Sequence, residues 1–207
     1  MSRADSDPGV RHGERQFVGA VCASLSHEIK NCLAIINENA GLMGDLALMA
    51  GQGRPVDPER QARIAAAVQK QVRRADQLVV QLNRFAHSGD VDRREVDLAD
   101  TLTFAAALFE RTASKAGKRV TVAIEAGLKV DTAPMGLLQL LWGVLLAGVE
   151  GEAASDLVLT AAVGNGVRIL ISPPAPGTRA ITLPQALGDL ASALGGTLSS
   201  DTEEGVC

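Results

Sequence analysis

Six consecutive residues, Ser26-His-Glu-Ile-Lys-Asn31, bring an imidazole, a carboxylate and a side-chain amide within about a helical turn of one another. An imidazole becomes a nucleophile when one ring nitrogen is free of its proton. A carboxylate that accepts the other N–H fixes that tautomer and stabilises the positive charge that grows as a bond to the free nitrogen forms. Glu28 is placed to do this for His27. Asn31, four residues on from the histidine, shares its helical face and could orient a water for the reverse, hydrolytic step. His-Glu also opens the zinc-protease pattern HExxH, but position 31 is Asn, so the second zinc ligand is missing. A histidine on a helix surface is most often simply solvated, so its spacing alone does not assign it a role.

The elements that must position these residues follow from periodicity. From about Gly13 to Ala50 the apolar residues keep a heptad track. One seam holds Cys22, Ile29, Ile36, Met43 and Ala50, and the other holds Val18, Leu25, Cys32, Asn39 and Leu46. On this track Leu25 and Ile29 face a bundle core, and His27 falls at the position most remote from the seam, pointing into solvent. The segment Gly51 to Glu59 breaks the pattern: Gly51 and Gly53 suit a helix C-terminus, Asp57 an N-cap, and Pro58 and Glu59 a first turn. A second amphipathic helix then runs to about His87, with Ile64, Val68, Gln71, Ala75, Leu78, Leu82 and Phe85 on its seam. Two such helices form an antiparallel hairpin, and because a lone hairpin cannot enclose a core, pairing of two copies into a four-helix bundle is expected. Homodimerisation through the hairpin follows.

The polar run Ser88 to Glu95 reads as a boundary, after which the periodicity becomes mixed. Helices are expected over Leu98 to Lys115, Pro134 to Glu150 and Leu183 to Leu194. Strands are expected over Arg119 to Glu125, Leu157 to Val163, Val167 to Ser172 and Thr197 to Ser200, with a tight turn at Asn165-Gly166. The fold class is therefore α + α/β: a helical hairpin followed by helices packed on one face of a mixed sheet. The implied domains are a polar lead-in at 1–12, the hairpin at 13–89, a linker at 90–95 and the α/β domain at 96–207.

Composition removes several function classes. Of the 207 residues 46% are hydrophobic and 21% charged, a globular balance. The formal net charge of −4 and an aromatic content of 2% leave neither the basic excess nor the stacking platforms of a nucleic-acid binder. Cys22, Cys32 and Cys207 lack CxxC spacing, and no histidines complete a zinc site, so Cys22 and Cys32 read as small apolar residues in a reducing compartment. The polar N-terminus is no signal peptide, and the apolar stretch Leu137 to Val149 is shorter than the ~20 residues a membrane helix needs. The expectation is a cytoplasmic chain with no membrane insertion, no nucleic-acid partner and no sensor domain of its own. Other features have plain readings: Gly164-Asn-Gly166 as a hairpin turn, His87 as a helix cap, His12 as solvated and Trp142 as core.

The stretch Phe17 to Ile36, centred on Ser26-His-Glu-Ile-Lys-Asn31, closely resembles the phospho-acceptor box of two-component sensor histidine kinases, S-H-E-[IL]-[RK]-N-P-L preceded by a phenylalanine. The resemblance implies that His27 is the phospho-acceptor, Glu28 its acid/base partner and Asn31 a residue used in transfer or dephosphorylation. Cys32 departs from the pattern, standing where a helix-kinking proline is usual. Arg74 to Ala86 looks like the second helix of the same dimerisation module. On that scaffold Lys30, Lys70, Arg73 and Arg74 are candidate contacts for an acidic receiver domain.

The second half is more weakly similar to the same family's ATPase domain and lacks its ligand residues. Leu137 to Glu150 matches a helix whose asparagines hold magnesium and phosphate. Here those places fall at Gly143 and Ala147, which have no side-chain oxygen to coordinate a metal. Pro173 stands where an adenine-binding aspartate is usual, Ala175 replaces a glycine, Gly177 persists, and Thr178 to Thr182 is too short for the usual lid. Leu183 to Gly196 resembles the closing helix-Gly-Gly element. The resemblance thus implies a degenerate ATPase-like domain without ATP or metal ligands, and a dimeric histidine phosphotransferase. His27 would take a phosphoryl group from one response regulator and pass it to another, with the receiver supplying the aspartate and its Mg²⁺. The rival readings are a divergent kinase core, acting as autokinase or as a phosphatase through Asn31, and a non-catalytic dimeric scaffold for regulators.

Overall fold

The structure, a computed structural model, describes residues 8–150, 156–163, 166–172, 183–201 and 205–206. The chain divides into two compact units, one formed by Cys22–Ala86 and the other by Met1–Val21 together with His87–Cys207. The expected α + α/β class is the one observed.

The first unit is the hairpin of α1 (Pro8–Gly51), of which it takes the part from Cys22, and α2 (Pro58–His87). Helix α1 begins at Pro8, earlier than the heptad track implies, and is continuous through Cys32. Its end is closed by a Schellman motif. Gly53, at φ 73°, donates its N–H to the Ala50 carbonyl, and Arg54 donates to that of Met49, at 3.0 and 3.1 Å. Asp57 caps α2, its Oδ1 accepting the Glu59 N–H at 2.9 Å. The two seams of α1 do not behave alike. Leu25, Cys32 and Leu46 are buried, as are Ile64, Leu78 and Phe85 of α2, whereas Ile29 and Ile36 are half-buried and Met43 exposed. One seam therefore packs within the hairpin and the other is left partly open. Asn39, the polar residue on the packed seam, turns its Nδ2 onto the Ile35 carbonyl of its own helix at 2.8 Å.

In the second unit α3 (Leu98–Lys115) and α4 (Pro134–Glu150) have the bounds expected from the sequence, and α5 spans Gln185–Ala193. The strands are β1 (Arg94–Asp97), β2 (Val120–Val122), β3 (Lys129–Thr132), β4 (Leu157–Val163), β5 (Val167–Ser172), β6 (Ser200–Asp201) and β7 (Gly205–Val206). Five strands form a mixed sheet in the order β2-β4-β5-β7-β6, with β2 and β4 parallel and the other pairs antiparallel. β4 and β5 match their expected bounds, and Val163 lies opposite Val167; Gly164 and Asn165 of the expected turn lie outside the described residues. Helix α3 packs on β2 and α4, and α4 on α5 and β4. Leu157 and Leu159, alternate residues of β4, are buried beneath them with Leu98, Leu102, Phe109 and Leu145. Trp142 belongs to this core as expected. It meets Phe109 edge-on at 4.9 Å between centroids and Phe17, from the start of α1, at 5.7 Å.

The antiparallel ribbon β1–β3 was not anticipated, because β1 begins inside the polar run 90–95 and only Val96 of it is buried apolar surface. Cross-strand charges accompany the pairing instead. Lys129 reaches Glu95 at 2.8 Å, which holds the lysine above its ordinary pKa, and Arg93 reaches Asp131. Such a ribbon carries no period-2 hydrophobic signature to read.

Candidate functional site

Helix α1 presents His27 as its heptad position requires: exposed, on the side away from the packed seam formed by Leu25 and Cys32. Among the described residues the imidazole makes no hydrogen bond, so both ring nitrogens are open to a reactant. Lys30 and Asn31 are exposed beside it, Asn31 one turn further along. Glu28 differs from its neighbours. Its side chain keeps 15% of its accessible surface and runs toward α2, where Oε2 accepts a hydrogen bond from Arg74 Nη2 at 2.9 Å. Residues adjacent in a helix diverge by about 100° around its axis, so this direction follows from Glu28 being next to an outward-pointing histidine.

Lys70, Arg73 and Arg74 share one face of α2 by their three- and four-residue spacing, and all three are exposed. Lys70 and Arg73 form no ion pair within the described residues, whereas Arg74 is engaged by Glu28. Sequence reasoning grouped Arg74 with the partner contacts and did not connect it to Glu28. Nothing local signals a bond between residues 46 positions apart.

At Gly143, one of the two α4 positions compared with metal ligands in the resembled family, α5 packs hydrocarbon close against the helix. A Cβ built on Gly143 would stand 2.5 Å from Leu187 Cδ2 of α5, and one on Gly136 would stand 2.8 Å from Leu194 Cδ2. The two glycines are a heptad apart on α4 and the two leucines a heptad apart in reverse order, so antiparallel helices approach closely along a glycine groove. Sequence reading noted that Gly143 lacks an oxygen ligand; it did not show that the space had been taken by Leu187. The loop carrying Pro173, Ala175 and Gly177, and the segment Thr178 to Thr182, lie outside the described residues. Among the described residues no group of three or more His, Cys, Asp or Glu side chains is gathered to hold a metal ion, and no helix is long and apolar enough to cross a membrane.

A two-helix hairpin bearing an exposed histidine, followed by an α/β sandwich, is the architecture that the resemblance to histidine kinases implied. No protein-family model matches the chain, and no curated protein does. Solved structures similar to it include the Acinetobacter baumannii histidine kinase AdeS, at 15% identity and a TM-score of 0.45, covering 87% of this chain and 93% of that one. A histidine kinase from Burkholderia phymatum is similar at 15% identity and TM-score 0.44, covering 88% and 94%. The histidine kinase ThkA, solved in complex with the response regulator TrrA, is similar at 16% identity and TM-score 0.43, covering 98% of this chain and 65% of that one.

Proposed function

We propose that this chain is a cytoplasmic, dimeric histidine phosphotransferase of a two-component phosphorelay, in which His27 accepts a phosphoryl group from the phospho-aspartate of one receiver domain and donates it to another. The observation that carries the reading is the placement of His27: exposed, with unengaged ring nitrogens, on a helical hairpin with Glu28 beside it and Asn31 a turn away. In the forward step a free ring nitrogen attacks phosphorus, the N–P bond forms as the P–O bond to the aspartate breaks, and the aspartate leaves as carboxylate. The remaining ring N–H is held by Glu28, which balances the imidazolium charge. The step rests on positioning and charge neutralisation, and the receiver brings the Mg²⁺. Lys70 and Arg73, exposed and unpaired within the described residues, offer cations to the carboxylates of a receiver's acidic site, with Lys30 on α1. The half-open seam of Ile29, Ile36 and Met43 supplies the surface on which a second copy completes a four-helix bundle.

The close α4–α5 packing supports phosphoryl transfer without ATP: Leu187 occupies the space that a side chain at position 143 would need. The test is to incubate the purified chain separately with phosphorylated receiver and with labelled ATP and Mg²⁺, with His27→Ala beside it. Label from the receiver that is lost in His27→Ala, with none from ATP, is the expected result. His27-dependent label from ATP would instead establish an autokinase, and no label from either donor a scaffold.

A further inference from the structure

We infer that Arg74 is a positioning residue for the chemistry of His27, acting through Glu28, while docking of the partner falls to Lys70 and Arg73; the inference rests on the phosphotransfer reading above. Three observations carry it. First, the Glu28–Arg74 bond joins the two helices of the hairpin across 46 residues at 2.9 Å, from the residue that follows the histidine. Second, Glu28 is a sheltered acid for an ion pair. Its side chain is 15% exposed, against 36% for Asp156 and more than half for the carboxylates paired with Arg63, Arg93 and Lys129. Third, the cations on the same face divide in two, Arg74 committed to Glu28 and Lys70 and Arg73 left to solvent.

The chemistry explains what such a tie does. A carboxylate has about four lone-pair directions on two oxygens. Arg74 takes one oxygen, Oε2, which leaves Oε1 to accept the imidazole N–H. An untethered glutamate on a helix flank exchanges among rotamers, and the tie removes that freedom before the reactant arrives; the imidazole N–H then closes onto Oε1 as the other ring nitrogen engages phosphorus. The guanidinium is suited to this because its fork stays planar, charged and oriented over a wide pH range. With the Arg74 side chain 57% exposed the pair is screened by solvent and contributes only about 0–1 kcal/mol to the fold, so stability alone is a weak account of a tie at this place.

The test uses two phosphoryl donors: a phosphorylated receiver, which must dock, and potassium phosphoramidate, which has no docking surface and releases ammonia as the N–P bond to His27 forms. Arg74→Met is expected to slow labelling of His27 from both donors by roughly tenfold, with little change in KM for the receiver. Arg74→Lys should restore most of the rate, and Arg74→Met added to Glu28→Gln should cause no further loss. Arg73→Ala should raise KM for the receiver and leave the phosphoramidate rate unchanged. If Arg74→Met instead raises only the receiver's KM, Arg74 is a docking residue and the inference falls while the phosphotransfer reading stands. If Glu28→Gln labels as fast as wild type, the role given to Glu28 falls, and this inference with it. Label that persists in His27→Ala would overturn the reading beneath both.

Discussion

The surface around His27 and the face where α4 meets α5 lie one in each unit, each on a helix that carries a resemblance to the same family, and they are built in opposite ways. Around His27 the polar residues are kept outward: His27, Lys30 and Asn31 are exposed, and Glu28, which turns toward α2, meets a guanidinium. On α4 the positions compared with metal-holding asparagines are Gly143 and Ala147, and Leu187 lies against the first of them. A polar group buried without a partner costs free energy, so a face bearing glycine and alanine is suited to close-packed hydrocarbon. The comparison teaches that resemblance of fold and retention of chemistry are separate matters, to be read residue by residue at each site.

The comparison can be broken or sharpened by substitution, and the largest effect should come at the histidine. His27→Ala is expected to abolish the acid-labile phosphate that the proposed transfer from a phosphorylated receiver places on the chain, while its unfolding free energy in urea stays within about 0.5 kcal/mol of wild type because the residue is exposed. Loss of folding in that variant would mean the site is structural after all. At the second site the order should reverse. Gly143→Asn is expected to destabilise the chain by about 1–3 kcal/mol through overpacking against Leu187, and to confer no retention of a nucleotide on a filtration assay. Pairing it with Leu187→Ala should return part of the loss; no rescue would show that the leucine is not what fills the site.

A smaller effect is expected at the open seam. For the dimer proposed above, Met43→Glu should raise the dissociation constant by roughly tenfold or more in sedimentation, because a carboxylate would have to be buried unpaired in the proposed bundle, and it should leave the helicity of the chain intact. An unchanged sedimentation profile would remove this seam from the dimer contact. The smallest effect concerns Asp156, which accepts the Arg119 backbone N–H at 2.9 Å and the guanidinium at 3.2 Å. The first of these bonds contributes most to holding its pKa below the ordinary aspartate value. Folding therefore gains from its ionised form above the unfolded pKa and loses that gain as pH falls through the folded one. The stability gap between wild type and Asp156→Asn should be constant near neutrality and close in acid; a gap that persists in acid would assign the effect to lost packing.

Much of the molecule could be read from local pattern. The heptad track determined that α1 and α2 are helices, that Leu25, Cys32 and Leu46 turn inward and that His27 turns outward, since side-chain direction in a helix follows from residue spacing alone. Gly53 and Asp57 marked the turn because helix ends need a residue that tolerates positive φ and a side chain that accepts a free N–H. Apolar density likewise delimited α3, α4, β4 and β5. The sequence also showed that Gly143 and Ala147 carry no side-chain oxygen. What it did not carry were the pairings between distant residues. Arg74 on Glu28, Leu187 on Gly143, Phe17 on Trp142 and the charged ribbon β1–β3 leave no period behind, because each depends on which surfaces the folded backbone brings face to face. Spacing thus determined what each helix presents, and only the tertiary structure decided what meets it.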